Sequence, residues 1–164
     1  MTISELMDGL SAGLEGETLE PDADGIYRID VDGVVVAMTE KPEENVLLLW
    51  SEIGQVPENY QARYYRGLLE GMFFDKGTGG AVFSCNAEDD TILMHKRLYL
   101  SELDVEQLGR EVCAFCEMVE KWREVTDDFI RGNVDFPEED EDEDLEAPPA
   151  PTKGDFSGGD FMRV

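Results

Sequence analysis

The acidic residues are the ones in this chain best spaced to do chemistry. In EPDADGIYRIDVDGVVVAM, Glu20 to Met38, carboxylates recur at alternate positions and a glycine follows each cluster. A calcium loop needs oxygen ligands at positions 1, 3 and 5, a glycine at 6 and a bidentate glutamate at 12. With Gly25 as the loop glycine, Glu20, Asp22 and Asp24 take the first three ligand positions, but Val31 stands where the glutamate belongs. With Gly33 as the loop glycine, Arg28 opens the loop and Thr39 closes it. Both registers lose essential ligands. The runs after each glycine, IYRIDV and VVVAM, are apolar and β-branched, which suits strands. Asp32-Gly33 between them has the chemistry of a two-residue turn with positive φ. The stretch is expected to be a hairpin rather than a metal site.

Other reactive residues give no catalytic constellation. The single histidine, His95, lies in a strand-like run between Met94 and Lys96, with no assignable partners for a triad or zinc site. Cys113 and Cys116 have the spacing of a redox pair, but such a pair needs a helix N-terminus after a strand to stabilise its thiolate. Here they fall well inside a long helical pattern, and burial as small apolar side chains is expected. Gly79-Gly80 lacks the lysine and following helix of a phosphate loop. No enzyme, cofactor or metal is expected.

The elements around these residues follow from periodicity. Ile3, Leu6, Met7, Leu10 and Leu14 form one helical stripe over residues 3–14. Three strand-like runs follow: GIYRIDV, GVVVAMT and NVLLLWSEI. Pro57 opens a helical stretch in which Tyr60, Tyr64, Leu68 and Met72 recur every fourth residue. Gly67 and Gly71 strip one face of that helix, for local packing or for close approach of another element. KGTGG ends it, and AVFSCNA with TILMHKRLYL reads as a second hairpin around EDD. From Leu103 to Ile130 a long helix places Val105, Leu108, Val112, Phe115, Val119 and Trp122 on one side. The order α-β-β-β-α-β-β-α predicts an α+β fold, a twisted antiparallel sheet flanked by helices. Val34, Val36 and Met38 alternate with Val35 and Ala37, so one set faces the helices and the other is free to meet a partner. The run Val46 to Trp50 is apolar on both faces and calls for cover on both sides, from a helix or another chain.

Charge narrows the partners. The 164 residues carry a net charge of −26, which argues against nucleic acid and anionic membrane surfaces. No apolar run approaches the ~20 residues of a membrane span. The acidic start MTISELMDGL is unlike a secretory signal, and three cysteines fit a reducing compartment without a disulfide framework. Composition divides the chain into a body, residues 1–132, and an acidic, Pro/Gly-rich tail, residues 133–164. Nine of the twelve residues from Asp135 to Glu146 are acidic, and eleven acids against two bases place −9 of the charge on the tail and −17 on the body. The tail is expected to be disordered.

The body as a whole resembles the class I type III secretion chaperones, the Tir-chaperone family. The resemblance covers about residues 2–130. It is carried by DADGIYRIDVDGVVVAM for the first hairpin and VLLLWSEIGQVPE for the third strand and its exit. LLEGMFFDKGTGGAVFS matches the second helix running into the fourth strand, and LYLSELDVEQLGREVCAFCEMVEKW the last strand and closing helix, with a late tryptophan, Trp122. The chain departs at Met72, where relatives often carry a polar residue, and in its tail.

The resemblance implies a homodimer in the bacterial cytoplasm. It would bind the N-terminal segment of a secreted effector in extended form, keep it soluble and pass it to the secretion ATPase. Effector-facing candidates are Leu6, Leu10, Leu14, Val34, Val36, Met38, Leu47 and Leu49, although most of the first-helix leucines also suit the core. Dimer candidates are Tyr64, Leu68, Met72, Val82 and Phe83, which serve equally as monomer core. In the tail, Phe156, Phe161, Met162 and Val164 follow the acidic spacer, as a motif for the effector groove or the export machinery, or simply as part of a solubilising tail. The alternative function is an acidic protein-interaction module of the same fold, acting as a regulator outside secretion.

Overall fold

A computed structural model of the chain describes residues 2–13, 18–55 and 58–133. The expectations placed on Leu14, Pro57 and the four apolar tail residues lie outside the described residues. Among the described residues the order is α1 (Ile3–Gly13), β1 (Tyr27–Val31), β2 (Val34–Lys41), β3 (Val46–Gln55), α2 (Gln61–Gly71), β4 (Val82–Asn86), β5 (Thr91–Tyr99) and α3 (Val105–Ile130). The strands form one antiparallel sheet in the order β1-β2-β3-β5-β4, with β1 and β4 at its edges.

The acidic stretch is turn chemistry. The Asp22 carboxylate accepts the backbone N–H groups of Asp24 and Ile26, each at 3.0 Å, and pairs with Arg28 across the base of the hairpin. That pair and those N–H groups hold the Asp22 pKa below the usual carboxylate value. Val31 pairs with Val34, so Asp32 and Gly33 form the two-residue loop, with φ of 52° and 90°. The Asp30 carboxylate closes it by accepting the Gly33 N–H at 2.8 Å.

Helix α3 organises the core. Asp104 caps it: its carboxylate accepts the Gln107 N–H at 2.7 Å, while the Gln107 side chain accepts the Asp104 N–H at 2.9 Å. This reciprocal cap satisfies two donors at an otherwise open helix end. Leu108, Val112, Phe115, Val119 and Trp122 are buried along its inner face, against Met38, Leu47, Leu49, Ile92 and Met94 from the sheet. Val105, the sixth residue of the expected stripe, is half-buried against the core. Cys116 is also buried but Cys113 is exposed, correcting the expectation that both thiols would be inside. They stand three positions apart, close to but not at a full turn, and the apolar stripe takes in only the second.

Two further links fix the helices. Arg123 donates from Nε to the Glu52 carbonyl at 2.9 Å, tying α3 to β3. The Trp122 indole donates to the Gly77 carbonyl at 2.9 Å and stacks edge-on against Phe83, joining α3 to the segment between α2 and β4. Tyr64 of α2 is fully buried, tilted against Phe129 and hydrogen-bonded to Thr126. Gly71 permits the close approach of α2 and α3, because a Cβ there would fall 2.4 Å from the Trp122 ring. Of the two readings of the glycine pair, approach of another element holds at Gly71.

Gly71→Ala is therefore expected to lower stability by roughly 1–3 kcal/mol through overpacking. Gly109→Ala, where a Cβ meets nothing within 4 Å, is expected to raise it by about 0.5–1 kcal/mol. Urea denaturation of the two variants checks the pair; equal effects would contradict this packing.

Candidate functional site

Because the helices pack on one side of the sheet, alternate residues of each strand remain on the other. Strand register identifies them. Ala37, Trp50, His95 and Val82 form one row across β2, β3, β5 and β4; Thr39, Leu48 and Arg97 form the next. Glu52, Leu93 and Ser84 make a third row. Leu48, Trp50 and Leu93 are only half-buried, although their neighbours Leu47, Leu49 and Ile92 are in the core. Together with Ile26 from the turn before β1 they floor a groove of about 540 Å³ to which no helix residue contributes.

The rim of this groove is unlike the rest of the molecule. Acids outnumber lysine and arginine by 39 to 13 over the whole chain, yet the lining holds Lys41, His95 and Arg97 against Asp24 alone. Arg97 pairs with Glu44, with both side chains half exposed to water. Such a pair contributes little and can be exchanged for another carboxylate. His95 sits at the floor with its Nδ1 buried and without a hydrogen-bond partner, and burial lowers its pKa.

A second apolar surface lies around α2 and the edge strand β4. Tyr65, Leu68, Leu69, Met72, Phe83 and Cys85 line a cavity of about 170 Å³ there. Beside it Leu69 is 65 % exposed, Phe73 63 % and Phe74 80 %, whereas Val82, 41 % exposed, lies in the open-face row with His95. Phe74 and Asp75 both adopt left-handed backbone, with φ of 51° and 56°. This conformation costs on the order of 1 kcal/mol or more for a bulky side chain, and here it presents an aromatic ring to solvent. The Phe73 and Phe74 rings pack edge to face with centroids 4.5 Å apart.

These placements revise the expected site residues. Leu6, Leu10, Val34, Val36, Met38, Leu47 and Leu49 are all buried in the core, so a second chain could reach them only by opening the fold. The reason is parity: α3 and α1 take the inward set of β2 and β3, and the accessible set is shifted by one residue. Of the dimer candidates, Tyr64 and Leu68 are buried, and Met72 and Phe83 are half-buried, with the Met72 Sδ accepting the Phe83 N–H at 3.3 Å. Val82 alone of that set is exposed. The accessible apolar residues are instead Leu48, Trp50, Leu93, Leu69, Phe73 and Phe74, none of them among the expected site residues. The run apolar on both faces from Val46 to Trp50 signalled the first of these, but alternation alone cannot say which set the helices cover.

Among the described residues, no cluster of three or more His, Cys, Asp or Glu could hold a metal ion, and no helix is long and apolar enough to cross a membrane. The site offers apolar surface, a basic rim and sheet edges, which are means of binding another chain.

The model of the Tir chaperone protein (CesT) family matches residues 5–123. A Chlamydia pneumoniae protein is 26 % identical over 106 residues, covering 64 % of this chain and 80 % of that one. Two solved structures share the fold. A chain of the HopA1–SchA chaperone–effector complex has TM-score 0.59 and 21 % identity, over 73 % of this chain and 91 % of that one. The Yersinia pestis type III secretion chaperone SycH, in complex with a stable fragment of YscM2, gives 0.56 and 20 %, over 74 % and 97 %.

His95 supplies a direct check on the groove. Its lowered pKa means the unfolded chain takes up this proton first, so stability tied to His95 is complete above the ordinary imidazole value and declines as pH falls through it. As the only histidine, it is expected to give one ring resonance with a titration midpoint below about 6.5. A midpoint above that value would contradict the burial described.

Proposed function

The chain belongs to the Tir chaperone protein (CesT) family, and from that premise we propose that it is a type III secretion chaperone. In this reading it holds the N-terminal segment of a secreted effector in extended form, soluble and ready for export, in the bacterial cytoplasm. The observation that carries the reading is the uncovered apolar face of the sheet, floored by Leu48, Trp50 and Leu93 beside the edge strand β1.

An extended peptide can hydrogen-bond along a free strand edge and place alternate side chains in apolar pockets. Binding that orders such a segment typically buries ~1,000–3,000 Å², more than one small groove supplies. A second protomer docked through Leu69, Phe73 and Phe74 would double the surface and cover the second exposed apolar patch. The strain at Phe74 is then offset by ring burial in the homodimer. Net negative charge keeps two such surfaces soluble while they are empty. The effector is handed on from this complex to the export apparatus, including its ATPase.

Co-expression with the N-terminal ~100 residues of candidate effectors, followed by limited proteolysis, is expected to leave an extended effector segment protected. Trp50→Asp should abolish capture with the fold intact by circular dichroism, because the residue lies outside the core. Phe74→Asp should yield monomers by sedimentation. Capture that survives Trp50→Asp would rule out the open face as the effector site. Protection of a compact, folded fragment would favour the alternative of a regulator that binds a folded partner.

A further inference from the structure

The basic-rimmed groove on the open face has a second potential occupant in the same chain. We propose that the segment Asp155–Val164 docks in this groove as an internal competitor for effector, with Phe156 and Phe161 taking the apolar floor and Asp155 and Asp160 meeting the rim. The proposal deepens the chaperone reading and rests on its assignment of the effector to the open face.

Three observations carry it. The first is complementarity. The segment contains Asp-Phe twice, at 155–156 and 160–161, each preceded by a glycine, so each aromatic ring follows a carboxylate. The groove has the matching arrangement, an apolar floor of Leu48, Trp50 and Leu93 beneath Lys41 and Arg97. A carboxylate arriving at Arg97 would exchange with the exposed Glu44, at little net cost.

The second is contrast with the alternative surface. The cavity between α2 and β4 is apolar, and the residues lining it include no lysine or arginine. An acidic-aromatic segment therefore has an electrostatic reason to choose the open face.

The third is reach. The 21 residues from Val134 to Gly154 connect the end of the described body to the first Gly-Asp-Phe's aspartate. Their acidic, Pro-rich composition is that of an unstructured linker, for which this length gives an r.m.s. span of about 25 Å, extended further by like charges. A body of ~130 residues has a radius of gyration of about 14 Å, so the tether can place the segment at any point on its surface. Tethering sets an effective concentration on the order of millimolar. Occupancy then requires only weak intrinsic affinity, and effector contacting more of the sheet can displace it.

The test uses the full-length protein with p-benzoylphenylalanine in place of Phe161. Irradiation is expected to give a cross-link within one chain, mapping to β3 or β5 around Leu48, Trp50 and Leu93. Absence of an intramolecular cross-link, or its appearance on Leu69, Phe73 or Phe74, would overturn the proposal. In parallel, the full-length double variant Phe156→Ala/Phe161→Ala should raise acrylamide quenching of Trp50 several-fold. Buried Trp122 supplies a constant background, and unchanged quenching counts against docking. Adding the effector fragment recovered by co-expression separates the two readings. Loss of the β3–β5 cross-link supports both. A cross-link that persists under saturating effector leaves tail docking in place and removes effector from the open face. No cross-link, with Trp50 still protected by effector, removes the tail alone.

Discussion

The structure depends on how the apolar stripe of α3 meets one face of a five-stranded sheet. Leu108, Val112, Phe115, Val119 and Trp122 bury the inward residues of β2, β3 and β5, and burial of each large apolar side chain contributes roughly 1.5–3 kcal/mol. The same packing decides what is left outside. A sheet has two faces and period-two side chains, so once α3, α1 and α2 lie on one face, the other parity stays uncovered. In most chains such a face is polar. Here it carries Leu48, Trp50 and Leu93, and a protein with that arrangement has apolar surface to lend.

Charge and backbone geometry make the arrangement workable. A heavily acidic surface discourages self-association through the sheet, while Lys41, His95 and Arg97 gather where a partner would lie. On the far side, Trp122 links three elements: it fills the space left by Gly71, bonds to the Gly77 carbonyl and stacks on Phe83. That knot fixes the path from α2 to β4 and, with it, the left-handed turn that displays Phe74. The exposed aromatic pair is thus a consequence of how the core closes.

Most of the fold was legible in the amino-acid pattern. The hairpin at Asp32-Gly33, the order of strands and helices and the inner stripe of α3 from Leu108 to Trp122 follow from turn chemistry and periodicity, because each is a local property. The site was less legible. Leu47 and Leu48 are chemically identical and adjacent, and only the docking of α3 on one face of β3 distinguishes core from groove. The strand residues expected to face an effector, Val34, Val36, Met38, Leu47 and Leu49, therefore lie on the buried parity, one residue out of step with the accessible set. Leu69, Phe73 and Phe74 escaped notice for a related reason. Their exposure follows from the turn after α2, which depends on a distant tryptophan. Cys113 went the same way, since a three-residue spacing does not guarantee a shared environment at the edge of a stripe.

The measurement that tests the central claim most directly is methyl NMR of the protein with and without a captured effector fragment. Leu47, Leu48 and Leu49 are consecutive and alternate between core and open face. The account requires that effector shift the methyl resonances of Leu48 and Leu93 strongly and leave those of Leu47 and Leu49 close to their free positions. Equal shifts at all four, or shifts confined to Leu47 and Leu49, would mean that the sheet receives its partner by opening the core, and the account would be wrong.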